Sequence, residues 1–143
     1  MSGSVLCAVD LANGADDADT IRVAADLAAQ KGSQLDVIAV VPDYGMSPVG
    51  TYFNKEHHDE AVEASKQQLN DLVTEAIGAD ANESVRHVVA TGRAYAEVLN
   101  LAEQTQPWLI VVGAHKSEVS DFLLGPNAAR IVRHSKTSVY VVR

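Results

Sequence analysis

Five short apolar runs recur along the chain: Val5–Val9, Leu35–Val41, Val85–Ala90, Leu109–Val112 and Ser138–Val142. Four are rich in Val and Ile, and Leu109–Val112 is almost wholly apolar. Runs of this kind suit parallel strands buried on both faces, whereas a strand with one wet face alternates. Between them the apolar residues return at helical spacing. Asp16 and Asp17 can cap a helix that carries Ile21, Ala24, Ala25 and Ala28. Residues 59–77 place Val62, Leu69, Leu72, Val73, Ala76 and Ile77 on one stripe. Shorter helices are predicted over Ala94–Glu103 and Pro126–Arg133. Pro126 suits a first helical position, where a missing N–H costs nothing. The order β-α-β-α-β-α-β-α-β predicts an α/β fold, a single-domain doubly wound parallel sheet with right-handed crossovers. No repeat, charge block or Gly/Ser linker divides residues 1–143. Residues 42–56, PDYGMSPVGTYFNKE, break the pattern. So long a loop is usually functional or mobile, or it is a surface excursion with its aromatics folded back; both readings stay open.

Composition narrows the function classes. Apolar residues make up 47% and charged residues 21%, ordinary for a globular domain of 143 residues. No stretch approaches the roughly 20 apolar residues of a membrane span. The start MSGSVLCAVD lacks a basic segment and Asp10 interrupts its apolar run, so no signal peptide is expected and a cytoplasmic location fits. The one cysteine, Cys7, excludes an internal disulfide and a cysteine-based zinc cage. It falls in a strand pattern and reads as a buried, inert thiol. The net charge of −8 argues against broad nucleic-acid binding and against anionic membrane surfaces. It does not exclude a phosphate ligand, because backbone dipoles can hold an anion inside an acidic protein.

In open parallel sheets a ligand binds beyond the carboxyl ends of the strands, where strand order reverses. The residues there are Asp10 and Leu11, then Val41, Pro42 and Asp43, then Thr91, Gly92 and Arg93, then Gly113 through Ser117. No GxxxxGK[ST] or GxGxxG occurs, and HExxH is missing. A receiver domain would need an acceptor Asp after strand three, where Thr91 stands; a flavodoxin-type phosphate loop after strand one is replaced by the acidic DLANGADDAD. Phosphate chemistry gathers instead in the last third. Gly113 allows close approach at a strand end. Gly125, Pro126 and Asn127 open a helix whose N–H groups and dipole favour an anion, and Lys116 and Ser117 between them can donate to phosphate oxygens.

At these residues the chain resembles the universal stress protein family over its whole length, residues 1–143. The resemblance rests on VLCAVD, IAVVPD, ATGRAYAEVL, WLIVVGAHK and, most specifically, FLLGPNAARIVRHSKTSVYVVR. It implies a Rossmann-like sheet of five strands in the order 3-2-1-4-5, related to the adenine-nucleotide α-hydrolases. The family's ATP-binding branch carries roughly Gly-x-x-Gly, nine residues, then Gly-Ser/Thr. Gly113 and Gly125 match, whereas Lys116 stands at the second glycine, the spacer from Lys116 to Gly125 is eight residues, and Pro126 follows Gly125. The resemblance implies that Ala8 and Val9 line a base pocket, that Asp10 meets ribose, adenine or metal, and that Val41 reads the adenine edge with its backbone. Val112 and Gly113 would border ribose and the α-phosphate. His115, Lys116 and Ser117, with Gly125, Pro126 and Asn127, would hold the phosphates of ATP, ADP or AMP, and Mg²⁺ would bridge those phosphates. Asp10 could otherwise cap the turn that follows it. The last strand would form a homodimer through Val139, Val141 and Val142.

The other histidines read as ordinary. His57 and His58 precede the second helix, His87 alternates in strand three, and His134 suits the dipole of the last helix turn. Trp108 reads as packing. The expected function is an ATP-binding regulatory protein of the stress response, with at most slow hydrolysis and, as some family members do, a client such as a membrane transporter. A slow ATP hydrolase and a nucleotide-free interaction module are the alternatives.

Overall fold

The computed structural model describes residues 3–41, 55–114 and 125–143. Residues 42–54, and His115, Lys116 and Ser117, lie outside them. The order is β1 (Ser4–Val9), a 3₁₀ turn (Leu11–Asn13), α1 (Gly14–Gln30), β2 (Gln34–Val41), α2 (Lys55–Ile77), α3 (Ala79–Asn82), β3 (Arg86–Thr91), α4 (Ala94–Thr105), β4 (Leu109–Gly113), α5 (Pro126–His134) and β5 (Val139–Val142). The strands form one parallel sheet in the order β3-β2-β1-β4-β5. Central β1 sets the register: Cys7 stands opposite Val37 on one side and Val111 on the other. The outer strands follow, Ile38 opposite Val88 and Val112 opposite Val141.

Both faces of the central strands are covered, which is why their apolar runs are nearly unbroken. Val5, Cys7, Val37, Ala39 and Val111 point to a core shared with Ile21 and Ala24 of α1 and Leu69 and Val73 of α2. Leu6, Ile38, Ile110 and Val112 point to a second core under Val98 and Ala102 of α4 and Ala128 and Ile131 of α5. Cys7 is fully buried, and burial, with the Asp17 carboxylate adding to it, pushes its thiol well above the ordinary range.

Three details differ from the sequence reading, and one alternative it left open, Asp10 as a cap, is observed. The first helix begins at Gly14, after the 3₁₀ turn, so Asp16 and Asp17 belong to its first turn and do not cap it. The residue that caps is Asp10, whose Oδ1 accepts the Ala12 N–H of the 3₁₀ turn at 2.9 Å. The second helix starts at Lys55, so His57 and His58 lie within it instead of before it. A short α3 follows Gly78, whose φ of 91° ends α2 in a conformation that side chains avoid.

The amino ends of the strands are closed by polar side chains. Trp108 Nε1 donates to Ser33 Oγ at 3.0 Å, and Lys31 Nζ stands 4.2 Å from the ring centroid. Asn82 Nδ2 donates to Asn70 Oδ1 and Thr74 Oγ1, both at 2.9 Å. Its Oδ1 therefore faces His87 Nε2 at 2.6 Å, so the imidazole must donate from that nitrogen. Burial lowers the His87 pKa.

Candidate functional site

A crevice of about 730 Å³ opens at the carboxyl ends of β1, β2 and β4, a size in the range of small-molecule sites. Strand order reverses there: β2 lies on one side of β1 and β4 on the other. Ala8, Val9 and Asp10 form its centre, Val41 one flank, Val112 and Gly113 the other. Gly125, Pro126 and Asn127 bring the start of α5 over it. These residues are far apart in sequence, and the parallel topology alone collects them at one end of the sheet.

The α4 and α5 side favours anions. Gly125 is the N-cap of α5 and Pro126 follows it without an N–H. Ala129 N–H already donates to the Gly125 carbonyl at 2.9 Å. Asn127 and Ala128 therefore carry the first-turn N–H groups left for a ligand. The Asn127 side chain has another task, because its Oδ1 accepts the Tyr95 N–H of α4 at 3.3 Å. A second contact joins the same turns, Arg130 lying 4.7 Å from the Tyr95 ring centroid. Ala94, the first residue of α4, also lines the crevice, so two helix N-termini converge on it.

The β2 flank is held by a bond across its end. Gly92 N–H donates to the Val41 carbonyl at 3.0 Å, so a ligand reading that oxygen would use its second lone pair. Gly92 has φ of 141°, and a Cβ there would meet Glu97 Oε1 at 2.8 Å, so no other residue fits without strain. The opposite wall belongs to α1 and α2. Asp17, 1% exposed, lines it and accepts the Asp10 backbone N–H with Oδ2. Ala61, Ser65 and Gln68 of α2 complete that wall. Their spacing of four and three residues is a helical stripe, but Ser65 and Gln68 are polar and a search for apolar stripes passes over them. Among the described residues, no group of three or more His, Cys, Asp or Glu is placed to hold a metal. No described helix is long and apolar enough to cross a membrane.

The universal stress protein family model matches residues 1–143. Universal stress protein G of Shigella flexneri is 36% identical over 59 residues, 41% of this chain and 42% of that protein. The match thus spans about two fifths of the relative's length. Three solved structures share the fold. A universal stress protein from Archaeoglobus fulgidus has a TM-score of 0.73 at 18% identity, with all of both chains covered. A universal stress protein in complex with cAMP has 0.68 at 18%, covering 100% of this chain and 98% of that one. The Archaeoglobus fulgidus protein in complex with dAMP has 0.64 at 16%, covering 99% and 98%.

Proposed function

The chain belongs to the universal stress protein family, and we propose that it is a stress-response regulator that binds an adenine nucleotide in the strand-end crevice. The observation that carries this reading is the meeting of two helix N-termini opposite Asp10 at the reversal of strand order. Two structural neighbours are complexes with adenine nucleotides, cAMP and dAMP, which supports the same ligand class. Gly125 adds a local reason: its φ is −61°, and a Cβ would meet no described atom within 4 Å. Neither backbone nor packing among the described residues demands glycine there, and close approach by a ligand would.

In this reading Ala8 and Val9 back the base, Val41 meets its edge, and Val112 and Gly113 border ribose. The N–H groups of Asn127 and Ala128 face the phosphates, and His115, Lys116 and Ser117, outside the described residues, would join them. Phosphate oxygens would hold Mg²⁺, since Asp10 Oδ1 already accepts the Ala12 N–H. ATP is the expected physiological ligand, and its occupancy would tune assembly or a client such as a membrane transporter in the cytoplasm. The homodimer would form along β5, the sheet edge, where Val139, Val141 and Val142 are half-buried and Tyr140 is exposed.

The test is to denature purified protein, identify released small molecules by mass, and titrate ATP and AMP by calorimetry. Nucleotide near one per chain, or saturable binding, is expected. Gly125→Ala should keep the melting temperature and weaken binding about tenfold. No released nucleotide together with no heat of binding would overturn the proposal.

A further inference from the structure

A carboxylate buried beside the crevice needs a reason. Burying an ionised acid costs several kcal/mol unless hydrogen bonds meet it. Asp17 is 1% exposed and lies in the first turn of α1, past the start of the helix. Its carboxylate reaches back seven residues to the Asp10 backbone N–H, and Thr20 Oγ1 lies 3.4 Å from its other oxygen. The position of that N–H matters. The β1–β2 pairing ends at Val9 opposite Ala39, and the β1–β4 pairing at Ala8 opposite Val112. Asp10 is thus the first residue past the ladder, and Asp17 supplies the acceptor that the sheet no longer provides. With the backbone held there, Asp10 turns its own carboxylate onto the Ala12 N–H. Two hydrogen bonds thereby lock the turn from β1 into α1, and that turn forms one wall of the crevice.

We infer that Asp17 is a positioning residue of the nucleotide site, its buried carboxylate accepting the Asp10 N–H and fixing the turn that presents Asp10 to the ligand. The inference rests on the nucleotide-binding reading above and assigns one of its affinity determinants to a residue outside the expected site. A charged acceptor makes a shorter and stronger bond than a neutral one, so graded replacement gives a graded response.

Two readouts test it on the full chain. In the unliganded protein, the Asp10 amide proton should resonate far downfield and exchange slowly. Asp17→Ala should shift it upfield and speed its exchange about tenfold or more, and Asp17→Asn, which keeps an amide oxygen, should give an intermediate value. In calorimetry with AMP, Asp17→Ala should lose about tenfold in affinity and Asp17→Asn less. Ile110→Ala, a core change in β4 away from the crevice lining, controls for lost stability and should leave AMP affinity within about twofold at a similar melting loss. Should Asp17→Ala fail to fold, Asp17→Asn carries both readouts. An Asp10 amide indifferent to both substitutions overturns the inference, as does an AMP affinity that merely tracks melting temperature across all three variants. If the unsubstituted protein binds neither AMP nor ATP, the nucleotide reading fails and the positioning role with it. The amide shift then still tells whether the turn is locked, so the two failures are distinguishable.

Discussion

Asp17 and Asp36 are both 1% exposed. One lies beside the carboxyl ends of the strands, the other near the amino end of β2. Asp17 is met by the Asp10 N–H and lies near the Thr20 hydroxyl. Asp36 Oδ1 has no hydrogen-bond partner among the described residues, and its ion pair with Arg86 Nε spans 3.6 Å from a side chain that is 59% exposed. Burial pushes the Asp36 pKa up, with Arg86 and Gln34 pulling against it. Equal burial therefore has opposite meanings. An acid that holds a backbone donor strengthens its end of the sheet, and one left short of donors weakens its own.

Substitution should separate the two by sign. Asp17→Ala strands the Asp10 N–H and should cost about 2–3 kcal/mol, read from urea midpoints at unchanged slope. Asp36→Asn removes a poorly met charge and leaves Arg86 in solvent, so it should raise stability by about 1 kcal/mol. A loss there would break the contrast and mean that the Arg86 pair is favourable. Thr20→Val removes the 3.4 Å contact to Asp17 Oδ1 and should cost about 0.5–1 kcal/mol.

The smallest effect is in pH. Asp36 has a raised pKa in the folded protein, so between its ordinary and its raised value the folded state binds more protons, and stability grows as pH falls through that window. His87 has a lowered pKa, so the unfolded state binds more protons between the folded value and about 6.5, and stability rises with rising pH through that window. Asp36→Asn should abolish the first slope and His87→Gln the second, measured as urea midpoints from pH 4 to 7.5.

The strands were legible because helices cover both sheet faces, so burial writes itself as the unbroken Val/Ile runs around Cys7 and Val37. The order 3-2-1-4-5 came with the family resemblance. The centre of the crevice was legible too, since topology sends Asp10, Val41 and Gly113 to one end of the sheet. Its walls were not. Ser65 and Gln68 reach it only through the packing of α2 on α1, which no local spacing encodes. Asp17 looked like a helix cap because acids before an apolar stripe usually are caps, and the 3₁₀ turn that moves the helix start has no strong local signal. The tie between Asn127 and α4, its Oδ1 accepting the Tyr95 N–H 32 residues away, has no local sequence signal either. Asp36 gave no warning, since one acid in an apolar strand looks the same whether or not its oxygens find partners.

The bond between β4 and the sheet edge has a practical side. Val142 pairs with Gly113, and its carbonyl accepts the Ala114 N–H at 2.8 Å. Val142 therefore holds the backbone at the β4 lip of the crevice. Any polypeptide continuing past Arg143, natural or fused, leaves within one residue of that bond and can tug on it. A purification handle is better joined ahead of Ser4, at the far end of the sheet, so that a binding assay reports on the crevice and not on the handle.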